Sequence, residues 1–223
     1  MQPGIRVVFL LLALERVLAT IRAMRCPVCQ QSLHETSPAC PHCSFDLAVA
    51  SQHLGIAPRL QPDLTDQASV FTPSQASHLQ DLLQEKERRF PQIRFAVVTV
   101  QVNPQIPLKA YSFWLLNRGN LATAMEKGGE CRMMLFVLDA VQKKLCCMLG
   151  YGLEPFFSQE AMDEVLRPAR PLLARGDMSG AVQASLQQAD VVLVALSRAI
   201  PQVFGLHQEK SAAPLSGEAG FAY

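Results

Sequence analysis

MMLFVLDAVQKKLCCMLGYGLE, residues 133–154, decides the fold. Met133 to Leu138 is apolar throughout, the pattern of a strand covered on both faces and so central in its sheet. Asp139 to Lys143 turns the chain, and Lys144 to Leu149 returns as a further strand, so the two form a hairpin. Gly150, Tyr151, Gly152, Leu153 and Glu154 leave the sheet, with the two glycines giving a tight backbone path. Ser158 then stands as a helix cap, with Glu160, Asp163 and Glu164 near the helix's positive end.

The same signals extend outward in both directions. Upstream, Phe95 to Val102 is β-branched and bounded by Pro91 and by Asn103 and Pro104, which predicts a strand. Before it, Thr72, Pro73 and Gln75 spell a capping box with proline at the first helical position. In that helix Ala76, Leu79, Leu82, Leu83 and Phe90 share one side. Asp81, Glu85, Lys86, Arg88 and Arg89 fall mostly on the other, and the run 85–89 reads as a solvated face. A helix over 108–121 carries Tyr111, Trp114 and Leu115, with Trp114 read as a packing residue. Downstream, Pro168 and Pro171 limit or kink the helix after Ser158. Gly176 and Asp177 mark a turn, and a last helix spans 179–199. Its apolar run 189–196 is flanked by Gln187, Gln188 and Arg198, which suits a core helix rather than a membrane span. Helix, strand, helix, strand, strand, helix, helix is an α/β (α+β) order: a small mixed β-sheet covered by helices.

Ahead of this domain lie Cys26-Pro27-Val28-Cys29 and Cys40-Pro41-His42-Cys43, ten residues apart. Each pair is a tight turn aiming two thiolates at one point, and two such turns make the tetrahedral sulfur cage of a structural zinc ribbon. A module this small has almost no core, so metal binding supplies its folding free energy. His34 and His42 read as exposed loop residues beside a complete four-cysteine shell. Cys131, Cys146 and Cys147 have no metal spacing and read as small apolar residues. Cys146 and Cys147, adjacent on a strand, point to opposite faces. Seven cysteines is an odd number, and free thiols beside a zinc cage point to a reducing, cytoplasmic location.

Twenty basic against nineteen acidic residues leave no long-range field toward nucleic acid. The ribbon itself carries only Arg25 against Glu35 and Asp46. The chain divides into a leader (1–23), the ribbon (24–48), a Pro- and Gly-broken linker (49–64), the α/β domain (65–206) and a polar tail (207–223) read as disordered. The leader holds an eight-residue apolar run, Val7 to Leu14, preceded by Arg6, too short to span a bilayer. Three readings stay open for it: a membrane-touching helix over residues 5–23, an upstream start that is not used with Met24 as the true first residue, or a signal peptide.

From about residue 65 to 205 the chain resembles the TPM family. Thr65-Asp66-Gln67-Ala68 before a Thr-capped helix looks like the family's opening, and Phe95 to Val102 like its first strand. Leu149-Gly150-Tyr151-Gly152-Leu153-Glu154 directly after the hairpin is the most telling string. Pro171 to Asp177 resembles its later turn. The resemblance implies a phosphatase-like fold in which acidic residues hold a divalent cation or a phosphate. Two places depart from it. Glu130-Cys131-Arg132 stands where members carry an Asp-Asn-Gly segment, and Phe156-Phe157-Ser158 where they carry an acidic or polar residue.

Two functions follow as expectations. In the first, the chain is a non-catalytic interaction or scaffold protein whose ribbon and TPM-like domain contact a protein partner, with membrane contact through residues 5–23. In the second it is a phosphatase-like enzyme. Asp66, Asp139 and Glu154 would then converge at one sheet edge and hold Mg²⁺ or Ca²⁺ against a phosphate. No Lys-Ser/Thr phosphate loop and no Gly-x-Ser-x-Gly elbow is present. A structure with those three carboxyl groups far apart removes the second reading's site.

Overall fold

The computed structural model describes residues 24–34, 37–119, 121 and 132–199. The expectations for the leader, for Glu130 and Cys131, and for the tail lie outside these residues. Two short strands, β1 (Met24–Arg25) and β2 (Ser32–Leu33), pair antiparallel within the ribbon. The main sheet has four strands: β3 (Leu64–Asp66), β4 (Arg94–Val100), β5 (Met133–Asp139) and β6 (Lys144–Leu149), ordered β3-β4-β5-β6. The first three run parallel, and β6 returns antiparallel to β5. The expected mixed sheet is present, with the hairpin where its residues place it. All seven residues of β5 are buried, as a strand covered on both faces must be.

The pleat divides the core in two. Phe95 and Val97 of β4 with Met134, Phe136 and Leu138 of β5 face one layer. That layer contains α2 (Pro73–Arg89), α4 (Gln159–Leu166), α5 (Ala169–Ala174) and α6 (Met178–Ala199). Ala96, Val98 and Val100 with Met133, Leu135 and Val137 face the other, where α3 (Leu108–Arg118) places Trp114 and Leu115. Trp114 is a core residue, 1% exposed, tilted against Tyr111.

Local chemistry accounts for the helix starts. The Thr72 side chain accepts from the Gln75 N–H while Gln75 bonds back to the Thr72 N–H, the expected capping box. Ser158 accepts from the Ala161 N–H and starts α4. Pro168 stands between α4 and α5, where a proline nitrogen has no hydrogen to continue the helix. Asp177 accepts from the Gly180 N–H at the head of α6.

Three features differ from the sequence reading. The three-residue strand β3 was not expected; so short a strand leaves no alternation to read. The segment 49–64 is not a bare tether, because α1 (Leu47–Leu54) begins just before it and runs through its first third. Asp46 caps α1 by accepting from the Ala48 N–H, and Leu47, Ala50, Leu54 and Leu60 pack on the α3 layer. Leu60 comes so close to Gly119 that a Cβ there would lie 2.5 Å from its Cδ1.

The third correction concerns the charged run 85–89. Lys86 is only 6% exposed and donates to Asp190 of α6 at 3.0 Å, while Arg89 reaches the other carboxylate oxygen at 2.5 Å. Lys86 sits three residues after Leu83 and seven after Leu79, squarely on the apolar stripe. The run is therefore a solvated face only in part.

Candidate metal centre and the groove beside it

The two cysteine turns of the ribbon are near copies. Gln30 N–H donates to the Cys26 carbonyl at 3.0 Å and Ser44 N–H to the Cys40 carbonyl at 2.8 Å. Cys26 N–H then bonds the Gln31 carbonyl and Cys40 N–H the Phe45 carbonyl, both at 2.9 Å. Closing so tight a turn requires left-handed backbone after each second cysteine, at Gln30 (φ 63°) and Ser44 (φ 56°). The result brings the four sulfur atoms within 4.8 Å of one another. Cys26 and Cys43 lie 3.5 Å apart, Cys29 and Cys40 3.6 Å. Zinc–sulfur bonds of about 2.3 Å in a tetrahedron would set sulfurs about 3.8 Å apart, so the donor set fits a metal such as zinc.

The acid–base chemistry of the cage also calls for a cation. Burial pushes the Cys40 thiol up, but the Cys43 and His42 N–H groups and the Cys29 and Cys43 sulfurs outweigh it and bring it down to about 6. At Cys43 the Phe45 N–H pulls down, yet burial and the other three sulfurs push harder, and the thiol rises to about 12. Four thiolates cannot share this space unless a positive ion joins them. His34 and His42 are both exposed and stand outside the four-sulfur group, as expected.

Side-chain contacts seat the ribbon on the α/β domain. Phe45 meets Phe113 of α3 edge to face, ring centres 5.8 Å apart. Lys109 of α3 donates to the Gln30 side-chain oxygen, and in α1, just after the ribbon, the Ser51 hydroxyl accepts from Arg118 at 3.2 Å. The Glu154 carboxylate, in the short 3-10 turn Glu154–Phe156, accepts from the Arg25 backbone N–H. Between the ribbon and α3 on one side and α4 and α5 on the other runs a groove of about 1690 Å³. The strand β6 lies along it.

Glu154 makes this contact sensitive to pH. Burial pushes its carboxyl above the ordinary value, against the opposing pull of the Arg25 N–H and the Lys109 charge. A raised folded-state value means that its contribution is full below the unfolded value and is lost as pH rises through the folded one. Glu154→Gln will therefore be more stable than the parent above that window, and the two will converge below about pH 4. Urea midpoints measured across this range check it; equal midpoints at neutral pH would show that burial of this carboxylate carries no penalty.

The expected acidic site does not assemble. Asp66 ends β3 and pairs with Thr99, while Asp139 ends β5 and pairs with Val100. Thr99 and Val100 are neighbours on β4, so their side chains, and with them the two aspartates, point to opposite faces of the sheet. Asp66 accepts from the Val70 and Phe71 N–H groups and the Thr99 hydroxyl. Asp139 accepts from the Val141 and Gln142 N–H groups and the Gln142 amide. Glu154 follows β6, whose last residue pairs with Met134 at the start of β5. It therefore lies at the opposite end of the sheet from Asp139, a strand length of roughly 17 Å away. Among the described residues the four cysteines are the one group placed to hold a metal.

Comparison with known proteins supplies the family. The family model of the TPM domain matches residues 64–192. The chain belongs to the TPM domain family. Three solved structures match part of the chain. The N-terminal domain of a protein from P. gingivalis has 21% identity and TM-score 0.45, covering 59% of this chain and 82% of that one. The N-terminal domain of the cg2496 protein from Corynebacterium glutamicum has 14% identity and TM-score 0.45, covering 60% and 82%. The BA42 protein from Bizionia argentinensis has 13% identity and TM-score 0.49, covering 56% and 83%. No curated protein matches the chain in sequence. The match begins at Leu64, the first residue of β3, so the ribbon and α1 precede the TPM domain proper.

Within the TPM domain, sequence reasoning missed the residues that receive the ribbon. Lys109 and Phe113 lie one turn apart on one side of α3, a spacing visible in the sequence. Nothing in that spacing says that a separate cysteine module would sit there.

Proposed function

We propose that this TPM domain protein is a non-catalytic interaction protein whose zinc ribbon and TPM domain present one joined surface to a protein partner. The separation of Asp66, Asp139 and Glu154 over two ends and two faces of the sheet carries this reading. The oxygens of Asp66 and Asp139 are already engaged by backbone N–H groups, which is the work of turn-closing residues. Zinc is the ion that suits four thiolates in a closed shell, and a closed shell leaves no position for a substrate. The free thiols beside it fit a reducing, cytoplasmic compartment. No helix among the described residues is long and apolar enough to cross a membrane. Contact with a membrane surface through residues 5–23 remains part of the proposal.

The test is phosphate release from p-nitrophenyl phosphate by the zinc-loaded full chain, with Mg²⁺ or Ca²⁺ added. No release above that of the heat-denatured chain is expected. Metal-dependent turnover that disappears in Asp139→Ala would overturn the reading in favour of a phosphatase-like enzyme. Sedimentation with neutral and anionic vesicles, comparing the full chain with one beginning at Met24, tests the membrane contact.

A further inference from the structure

The strand β6 is the last in the order β3-β4-β5-β6, so one of its sides pairs with no strand. Which groups face that side follows from the register. Gly150 N–H donates to the Met133 carbonyl, and Leu149 stands opposite Met134. Hydrogen-bonded pairs therefore recur at Met148–Leu135, Cys146–Val137 and Lys144–Asp139. Leu145, Cys147 and Leu149 turn their N–H and C=O groups away from β5. Among the described residues nothing bonds them. An open strand edge is ordinarily blunted or covered. Here it runs along the groove between the ribbon and α3 on one side and α4 and α5 on the other.

From this edge we infer a binding site for an extended peptide segment of a partner protein, which adds a fifth strand beside β6. The inference rests on the non-catalytic reading above and names the partner's chemistry. A row of alternating backbone donors and acceptors matches a peptide backbone in the extended form. The flanking side chains set which peptide fits. Phe113 and Leu116 of α3 and Met162 and Leu166 of α4 line the groove and suit apolar residues at alternate positions. Lys143 and Lys144 are exposed at the start of the strand, and Arg170 of α5 lines the same groove. Among the described residues no carboxylate pairs with these three cations. Charge complementarity therefore asks for an acidic residue at that end of the peptide. A second copy of the chain is a poor fit, because each copy's edge lies between two walls and the two edges cannot meet.

Selection of random octapeptides displayed on phage, against the zinc-loaded full chain, tests the inference. Enriched peptides should alternate apolar residues and end in an acid, and they should bind in solution by fluorescence anisotropy. Methylating alternate amide nitrogens of such a peptide should abolish binding, since it removes the donors that pair with β6. Leu145→Pro, which removes one edge N–H, should weaken binding about ten-fold. The paired change Lys143→Glu and Lys144→Glu leaves the strand's backbone intact. It should weaken acid-ended peptides about ten-fold and favour the same peptides ending in lysine. The inference is overturned if no peptide is enriched, or if N-methylated peptides and the charge-reversed chain bind as well as the originals. It is also overturned if peptides bind only after residues 1–23 are removed, which would make the leader the occupant. A dimer broken by Leu145→Pro would mark the edge as an interface between copies and overturn it too. Failure of the non-catalytic reading shows separately, as metal-dependent phosphate release.

Discussion

Replacing Cys26 and Cys29 with serine will strip the metal from the chain and unfold residues 24–34 together with the second cysteine turn. The reason is the size of the ribbon. Its pairing is two residues against two, and its buried residues are Cys26 and Cys40 themselves with Pro27 between the first two cysteines. Structural zinc in such modules binds with an apparent free energy of about 10–16 kcal/mol at neutral pH, and this is the folding energy of the module. With two ligands gone, the remaining thiols have no reason to stay within 4.8 Å of one another. Metal analysis should fall from about one zinc per chain to none. Amide resonances of the ribbon should collapse to unfolded positions, while those of β4 and β5 stay dispersed, because Phe95, Val97 and Phe136 are buried within the domain's own core. Parent protein purified without chelator and free of metal would refute the assignment. A serine variant that keeps both its metal and its ribbon resonances would do the same.

The second large effect lies in the helix layer on the sheet face opposite α3. Asp190→Ala should destabilise the TPM domain by about 3–5 kcal/mol, because it leaves the Lys86 ammonium buried without its partner. The two side chains are 8% and 12% exposed and 3.0 Å apart. Arg89, nearly half exposed, contributes little beyond holding the second carboxylate oxygen. Joint replacement of Lys86 with methionine and Asp190 with leucine should recover most of the loss, since well-packed apolar residues often equal or exceed a buried ion pair. Urea unfolding of the three proteins checks both statements. A loss below about 1 kcal/mol for Asp190→Ala would place the pair among ordinary surface ion pairs.

Lys86 also shows where the sequence is hard to read. A run of five consecutive charges looks solvated, yet the residue three after Leu83 cannot avoid the core side of α2. Its partner stands more than a hundred residues away, and only the packing of α6 against α2 names it. The acids show the same limit more sharply. Ends of strands from a parallel sheet can gather at one edge, and on that ground Asp66, Asp139 and Glu154 formed a reasonable trio. One residue of register between the Asp66–Thr99 and Asp139–Val100 pairs sends the first two to opposite faces. The antiparallel return of β6 carries the third to the far end.

By itself the sequence determined what depends on near neighbours along the chain. The cage at Cys26, Cys29, Cys40 and Cys43 follows from two tight turns, and the Thr72 cap from three residues. The buried strand Met133 to Leu138 and its hairpin follow from one unbroken apolar run. The resemblance carried by the Gly150 to Glu154 string named the TPM family that the match over 64–192 established. Tertiary structure alone decided what meets across distance: the ribbon against α3, Lys86 against Asp190, the scattered acids and the unpaired edge of β6. Local conformation is set by forces acting over a turn or a strand pair. Which side chains face one another across a sheet depends on register and layer, where a shift of one residue reverses the answer.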